Sequence, residues 1–131
     1  MASKHNPVIW FEIPVSDLQR ARKFYAAALG VDLGPPVQMG PSTMSFFPME
    51  QNAVGAGGAL LHSPQAQPSQ QGVTIYFSVE SIDPVLKRIE AADGKICLPR
   101  TSIGQYGFIA QFLDTEGNRV ALHEIPAEMR K

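Results

Sequence analysis

The sequence predicts an α+β domain built from two tandem βαβββ modules, whose strands form a curved, partly open mixed sheet with the helices outside. Runs that alternate apolar and polar residues indicate strands, and segments with apolar residues near every 3.6 positions indicate helices. The same order of segments recurs at a constant offset of 64 positions. With 131 residues, the chain is long enough for one core without disulfide support.

Each module opens with a predicted strand that is followed by a helix. Residues 8–15 and 73–79 are rich in β-branched and aromatic side chains, which suit a sheet that is buried on one face. Residues 18–29 and 82–93 carry apolar side chains at helical spacing. Both helices should therefore lay an apolar stripe on a sheet.

Capping residues mark the ends of both predicted helices. Ser16 or Asp17 is placed to cap the first helix, and Ser81 is placed to cap the second. Gly30 and Gly94 follow the two helices at the position where a left-handed residue often ends a helix. We therefore expect a side-chain cap at each start and a left-handed glycine at each end.

Three short strands should follow each helix. The turn at residues 114–118 contains Gly117 and Asn118, which both tolerate the positive φ of a tight hairpin. Glycines at residues 55–58 should permit close packing of strands rather than bind phosphate. Module 1 then covers about residues 7–62, a flexible surface linker covers 63–72, and module 2 covers about 73–125, within a single domain. The predicted strands are residues 37–39, 43–47 and 57–62 in module 1, and 95–98, 106–113 and 119–124 in module 2.

Alternation along the strands separates an apolar face, expected on the helix side, from a mixed face. The side chains expected on the helix side are Ile9, Phe11, Ile13, Val15, Val73, Ile75, Phe77, Val79, Val120 and Leu122. Those expected on the mixed face are Trp10, Glu12, Thr74, Tyr76 and His123. An unpaired carboxylate such as that of Glu12 is costly to bury, so we expect the mixed face to line a pocket rather than a closed interior.

Composition argues against several classes of function. Acidic and basic residues nearly cancel, with a net charge of −1, and they form no basic stripe, so we expect no nucleic-acid partner. No apolar run is long enough to span a membrane, and the N-terminal residues lack the apolar core of a signal peptide. The chain has one cysteine, Cys97, which cannot form an intrachain disulfide. These features favour a cytoplasmic protein without a membrane partner.

Three segments of the chain resemble the vicinal-oxygen-chelate superfamily, which includes glyoxalase I, bleomycin-resistance proteins and extradiol dioxygenases. They are residues 11–30, 75–79 and 112–123. The most specific piece runs from Asp17 to Gly30 and contains Phe24 and Tyr25, and the Asp-x-x-Gly-Asn turn at residues 114–118 is the next. The resemblance covers nearly the whole chain and implies the tandem fold derived above.

The resemblance also implies where a divalent metal would bind in metal-dependent members. Those positions correspond to Trp10, Leu60, Thr74 and Ala121, and none of these side chains is a credible ligand. We therefore expect the usual metal site to be absent and no cofactor to be required.

A shifted metal site is the alternative to this expectation. Each of the four positions without a credible ligand is followed, two residues later, by a side chain that we expect on the same face. These side chains are Glu12, His62, Tyr76 and His123. Glu12 with His62 and His123 would form a three-ligand site for a divalent metal. His62 lies beside the Pro-rich linker, however, and can equally be an ordinary solvated histidine.

Two functions from different classes remain open. In the first, the protein is an enzyme of isomerase or lyase type that acts on a small organic substrate, with Glu12 and His123 as acid and base. Trp10, Tyr76, Thr74 and His62 would contact the substrate. In the second, the protein sequesters a small molecule as bleomycin-resistance proteins do, by stacking on aromatic rings. The resemblance also implies a homodimer, and a module that only pairs with another protein is a third possibility.

Overall fold

We describe residues 6–126 of a computed structural model of the chain. Two helices and eight strands follow the predicted order, with a short 3-10 turn at Gly104–Tyr106. The first module contains β1 (Trp10–Pro14), α1 (Leu18–Leu29), β2 (Val37–Met39), β3 (Ser42–Phe46) and β4 (Gly57–His62). The second contains β5 (Tyr76–Ser78), α2 (Ile82–Ala91), β6 (Lys95–Ser102), β7 (Phe108–Leu113) and β8 (Arg119–Glu124).

The strands form two open four-stranded sheets with identical topology. Their orders are β1-β4-β3-β2 and β5-β8-β7-β6. In each sheet the first strand pairs in parallel with the last strand of the module, and the remaining pairs are antiparallel. The predicted α+β fold of two βαβββ modules is thereby confirmed. No helix within residues 6–126 has the length and apolar character needed to cross a membrane.

Helix α1 begins and ends as predicted. The Asp17 side chain accepts a hydrogen bond from the Arg20 amide at 3.0 Å, which caps the first turn. Gly30 ends the helix with φ of 68°, a left-handed conformation that glycine adopts without strain. The buried stripe consists of Ala21, Phe24, Tyr25 and Ala28.

Helix α2 differs from the prediction at both ends. The Ser81 side chain makes no capping bond, and Glu124 Oε1 accepts the Ile82 amide at 2.9 Å instead. At the other end Asp93, not Gly94, has the positive φ, at 75°. A Cβ on Gly94 would lie 2.6 Å from Ile89 Cγ2, so this glycine serves close packing. Spacing alone could not separate these two roles.

One hydrophobic core joins both modules. The helices α1 and α2 contact each other, and each also packs on the strands of its own module. Aromatic rings from both modules meet in the interior: the Phe77 ring centroid lies 5.7 Å from that of Phe11 and 5.5 Å from that of Phe47. The modules are therefore halves of a single folded unit rather than independent bodies.

Two residues of the expected apolar face lie outside this core. Ile9 is 70% exposed and Val73 is 92% exposed, because β1 begins only at Trp10 and β5 only at Tyr76. Alternation in the sequence predicted longer strands than hydrogen bonding supports. The remaining residues, such as Ile13 and Val120, do pack on the helix side.

A buried polar network links module 2 to the end of β1. Asp114 Oδ1 accepts the amides of Glu116 and Asn118, each at 2.9 Å. Asn118 Nδ2 donates to the Pro14 carbonyl at 2.7 Å. Gly117 has φ of 91°, whereas Asn118 does not adopt the positive φ that it would tolerate. This turn therefore acts as a structural joint between the modules.

Glu116 caps helix α1 from the other module. Its Oε1 accepts the amides of Ser16 and Asp17, each at 2.8 Å, and Arg20 Nε donates to its Oε2 at 2.7 Å. The Glu116 side chain has no exposed surface. The start of α1 thus depends on a residue about a hundred positions away in the sequence.

The linker at residues 63–72, predicted to be a flexible surface loop, is fastened to the start of β8. The Ser69 amide donates to Asn118 Oδ1 at 2.9 Å, and Arg119 Nε donates to the Gln70 carbonyl at 3.1 Å. The chain thereby passes along the junction between the modules before β5 begins.

Candidate functional site

The mixed face of module 1 is set by the register between its strands. Trp10 pairs with Gly57 and Glu12 with Ala59, so these four residues share the face away from the helices. Phe46 pairs with Ala59 on the same face, and its ring centroid lies 5.9 Å from that of Trp10. This face is therefore an aromatic wall with one carboxylate.

Glu12 is exposed and bonded to its neighbour. The indole nitrogen of Trp10 donates to Glu12 Oε2 at 3.2 Å. The Glu12 side chain remains open to solvent in the single chain. The bond fixes the indole and the carboxylate side by side.

Glycines let β4 approach aromatic side chains on both faces. A Cβ on Gly57 would collide with the Met49 side chain and lie 3.5 Å from the Trp10 ring, whereas a Cβ on Gly58 would collide with the Phe11 ring. The expected role in close packing therefore holds for Gly57 and Gly58, where side chains approach the strand, but not for Gly55, whose φ of 102° rather than crowding requires glycine. Met49 lies against the mixed face as a result, although sequence alternation did not assign it there.

The mixed face of module 2 contains an open cavity of about 490 Å³. Tyr76 and Ser78 come from β5 and His123 from β8, and the parallel register pairs Ser78 with His123. Ile103 and Ile109 supply the apolar part of the lining. Tyr76 and His123, both predicted site residues, are thus brought together.

The His123 ring is held by a backbone carbonyl. Its Nε2 lies 2.8 Å from the Tyr106 carbonyl oxygen. A carbonyl oxygen can only accept, so Nε2 carries a proton, and the neutral ring then has its lone pair on Nδ1. His123 therefore has a defined orientation and a nitrogen that can accept a proton or a ligand hydrogen bond.

Glu12 lines a different cavity from His123. A cleft of about 240 Å³ at the junction of the modules is lined by Glu12, by Arg119 at the start of β8 and by the linker residues Gln67, Ser69 and Gln71. The pairing of Glu12 with His123 as acid and base in one cavity is not present in the single chain. Thr74, the remaining predicted contact, is half-buried just before β5.

The expectation that His62 shares a face with Glu12 is wrong. Because Ile13 pairs with Leu60, Leu60 and His62 point to the helix side of β4. His62 lies there near the start of α1, in a cleft with Asp17 and Gln19. The run Gly57–His62 contains no alternation of polar and apolar residues, so the sequence held no signal for its faces.

The residues at the metal positions implied by the resemblance do not fit a metal. Leu60 and Ala121 are fully buried, and their side chains have no atom that could bind a metal. The indole nitrogen of Trp10 offers no lone pair, and it donates its hydrogen to Glu12. The shifted set of Glu12, His62 and His123 does not assemble either. Within residues 6–126, no group of three or more His, Cys, Asp or Glu side chains is arranged to hold a metal ion.

Several lining residues were missed in the sequence. Ser78 follows Tyr76 at the alternate position of β5, so strand alternation could have found it. Ile103 lies just before the short 3-10 turn, in a segment for which the sequence predicted no element, and Tyr106 was expected to begin a strand but ends that turn instead. Arg119 alternates with Val120 along β8, so strand alternation could have placed it on the mixed face, but only the structure places it in the same cleft as Glu12.

Comparison with known proteins agrees with this fold. A family model described as the Glyoxalase/Bleomycin resistance protein/Dioxygenase superfamily matches residues 8–122. The protein named "Putative glyoxylase CFP32" from Mycobacterium bovis is 25% identical over 115 residues, which cover 86% of this chain. The chain spans 43% of the length of that relative.

Solved structures resemble the chain over most of its length. A glyoxylase/bleomycin resistance protein/dioxygenase domain from Frankia sp. EAN1pec has a TM-score of 0.74 at 17% identity and covers 94% of this chain and 100% of its own. Glyoxalase I from Zea mays has a TM-score of 0.67 at 22% identity, and the match covers 90% of this chain and 46% of the Zea mays chain. TnmS3, an antibiotic binding protein from Streptomyces sp. CB03234, has a TM-score of 0.65 at 20% identity, and the match covers 95% of this chain and 100% of the TnmS3 chain.

Proposed function

Because this chain belongs to the glyoxalase, bleomycin resistance protein and dioxygenase superfamily, we propose that it binds a small organic molecule on the mixed faces of its sheets. The observation that carries the proposal is the cavity of module 2, where Tyr76 and Ile109 offer apolar surface beside the oriented ring of His123. A concave, largely apolar site with few polar groups is typical of small-molecule binding.

Aromatic surface favours a flat ligand. Tyr76 is 49% exposed, and Trp10 is 37% exposed on the other module. Exposed rings of this kind stack on planar groups and attract cations. The similar fold of an antibiotic binding protein supports binding without turnover as the simplest form of this function.

A homodimer is part of the proposal. Each mixed face is open in the single chain, and large apolar side chains remain exposed there, among them those of Tyr76 and Trp10. A second copy that covered these faces would remove the exposed rings from solvent, and large exposed apolar patches often mark an interface. Light scattering on the purified protein should give twice the chain mass, and a monomer at micromolar concentration would contradict the dimer. The cytoplasmic location expected from the sequence stays a prediction.

An acid–base enzyme is the second candidate function. The neutral His123 tautomer set by Tyr106 leaves Nδ1 able to take a proton from a carbon beside a carbonyl group, as isomerase or lyase chemistry requires. Glu12 lines another cavity, so in this candidate His123 is the base, and a catalytic role of Glu12 stays a prediction.

The experiment is a screen of planar aromatic and α-carbonyl compounds by calorimetry, followed by variants. Tyr76→Ala and His123→Gln should each weaken binding about tenfold, since an interface aromatic or an oriented hydrogen-bonding group typically contributes 1 kcal/mol or more. His62→Ala is the matched control, because that histidine lies on the opposite face of β4.

The outcome separates the two functions. Stoichiometric binding without change of the compound supports a binding protein, whereas turnover lost in His123→Gln with binding retained supports the enzyme. Equal affinity of wild type, Tyr76→Ala and His123→Gln would show that the ligand binds elsewhere and would overturn the proposed site.

A further inference from the structure

The outer surface of the molecule contains a larger cavity than those of the mixed faces. It lies between α1 and α2 and has a volume of about 630 Å³. Because both helices pack on the other side of the sheets, this groove is separate from the cavities described above. Its lining residues are Arg20, Lys23, Phe24, Ala27, Arg88, Ala91, Ala92, Asp93 and Thr115.

Small apolar residues create the groove. Ala27 on α1 and Ala91 and Ala92 at the end of α2 line the groove together with Phe24, and these four residues form its apolar floor. The Phe24 ring is almost fully buried, whereas Ala27 and Ala91 are exposed. The groove exists because larger side chains at these alanines would fill the space. Because alanine side chains are apolar, the groove presents apolar surface to solvent.

Basic side chains outnumber acidic ones around the groove. Arg20, Lys23 and Arg88 belong to its lining, with Asp93 as the acidic member. Glu116 binds Arg20 at 2.7 Å and neutralises its charge, so Lys23 and Arg88 provide the excess of positive charge over Asp93. Arg88 Nε donates to the Ala28 carbonyl at 3.2 Å. These contacts fix both guanidinium groups at the groove, where the Nη groups of Arg88 can donate to a ligand.

We propose that this groove binds a small carboxylate with an apolar body. Its volume lies in the range of ligand sites, roughly 300–1,000 Å³. The apolar floor would accept a hydrocarbon or ring, and the excess of cations would favour a carboxylate over an amine or an alcohol. This function goes beyond the proposed binding at the mixed faces and does not depend on it.

The test uses octanoate as the probe and follows the intact 131-residue chain by two-dimensional amide NMR. Octanoate should shift the amides of Ala27 and Ala91 in a saturable manner. Octanol and octylammonium, which have the same chain with a neutral or cationic head, should bind at least threefold more weakly. Shifts at Tyr76 and His123 report binding to the mixed face, so the two sites are distinguished in one spectrum.

Two variants change the charge of the groove in opposite directions, and a third variant fills it. Lys23→Gln should weaken octanoate binding about two- to fivefold, as expected for loss of one exposed ion pair. Asp93→Asn should tighten it by a similar factor, and asparagine also tolerates the positive φ at this position. Ala27→Phe should abolish binding by filling the floor. Lys87→Gln is the matched control, since Lys87 is exposed on α2 outside the groove.

Certain results would overturn the proposal. Octanol binding as tightly as octanoate would show that charge plays no part, and unchanged affinity in both Lys23→Gln and Ala27→Phe would place the probe elsewhere. Shifts confined to Tyr76 and His123 would assign octanoate to the mixed face instead. Circular dichroism of each variant verifies that the helices are intact.

Discussion

The phenol oxygen of Tyr25 donates a hydrogen bond of 2.6 Å to Asp114 Oδ2 in the interior of the protein. These residues belong to the two most specific of the three segments that give the sequence its family resemblance, one at the middle of α1 and the other in the turn before β8. Burial raises the pKa of Tyr25 well above its usual value, and the charge of Asp114 raises it further. The two motifs therefore supply the donor and the acceptor of one hydrogen bond that joins the modules.

Replacement of Tyr25 by Phe should destabilise the protein. The substitution removes the donor to Asp114 while the carboxylate stays buried, and a lost bond to a buried charged group costs about 1.5–3 kcal/mol. Urea denaturation measures the free energy of unfolding. Tyr76→Phe removes a hydroxyl from an exposed tyrosine and is the control, so equal stabilities of the two variants would contradict the role of this bond.

Glu116 should make the stability of the protein sensitive to acid. Burial alone raises the pKa of Glu116, but hydrogen bonds from Arg20, from the Asp17 and Ser16 amides and from Thr115 outweigh it, so the net pKa is lowered. A group with a lowered folded pKa stabilises the protein above its unfolded pKa of 4.5 and loses that contribution as pH falls through the folded pKa.

The measurement is the difference in unfolding free energy between wild type and Glu116→Gln as a function of pH. At neutral pH the variant should be less stable by about 1–3 kcal/mol, and the difference should shrink as the pH falls below 4.5 and through the lowered pKa of Glu116. Glu90→Gln, on the exposed side of α2, is the control and should change the unfolding free energy little at neutral pH. A difference for Glu116→Gln that does not change with pH would refute the prediction.

Gly94→Ala should destabilise the protein although its backbone has no positive φ. The new Cβ would lie 2.6 Å from Ile89 Cγ2 and 2.8 Å from Phe24 Cε1, and overpacking of this kind costs about 1–3 kcal/mol. At Gly34 a Cβ would meet its nearest atom at 3.7 Å, so Gly34→Ala is the matched control. The measurement is the midpoint temperature of thermal unfolding. A lower midpoint for Gly34→Ala than for Gly94→Ala would contradict this packing role.

Arg100 should support the start of α2 through Glu124. Arg100 Nε and Nη2 donate to the two carboxylate oxygens of Glu124, while its guanidinium lies 3.5 Å from the centre of the Phe108 ring. Arg100→Lys cannot keep the paired geometry, so we expect a loss of about 1 kcal/mol in unfolding free energy. A lysine variant as stable as wild type would show that charge alone is sufficient there.

The architecture could be predicted because its signals are local. Period-2 and period-3.6 patterns and the offset of 64 positions predicted both helices and the order of all strands. Failures occurred where tertiary contacts decide: Glu124 replaced Ser81 as the cap of α2, and Asp93 rather than Gly94 took the positive φ. A partner that lies 42 positions away in sequence leaves no local trace.

The candidate site was less predictable than the fold. Trp10, Tyr76 and His123 were assigned to the mixed face because their strands alternate clearly, and they do lie there. His62 was misassigned because Gly57–His62 is apolar throughout until its last residue. The separation of Glu12 from His123 depends on how the modules pack, which no pattern within one strand can encode.

The cap that Glu116 provides for α1 means that the duplicated halves are no longer interchangeable or separable. A fragment ending before residue 114 would leave the Ser16 and Asp17 amides without their acceptor and the Tyr25 hydroxyl without Asp114. Module 1 alone would then lack hydrogen-bond partners at the N-terminus of α1, and it would also lack the aromatic rings that module 2 contributes to the shared core. Unfolding is thus expected as one cooperative event across the full domain, in spite of the internal repetition.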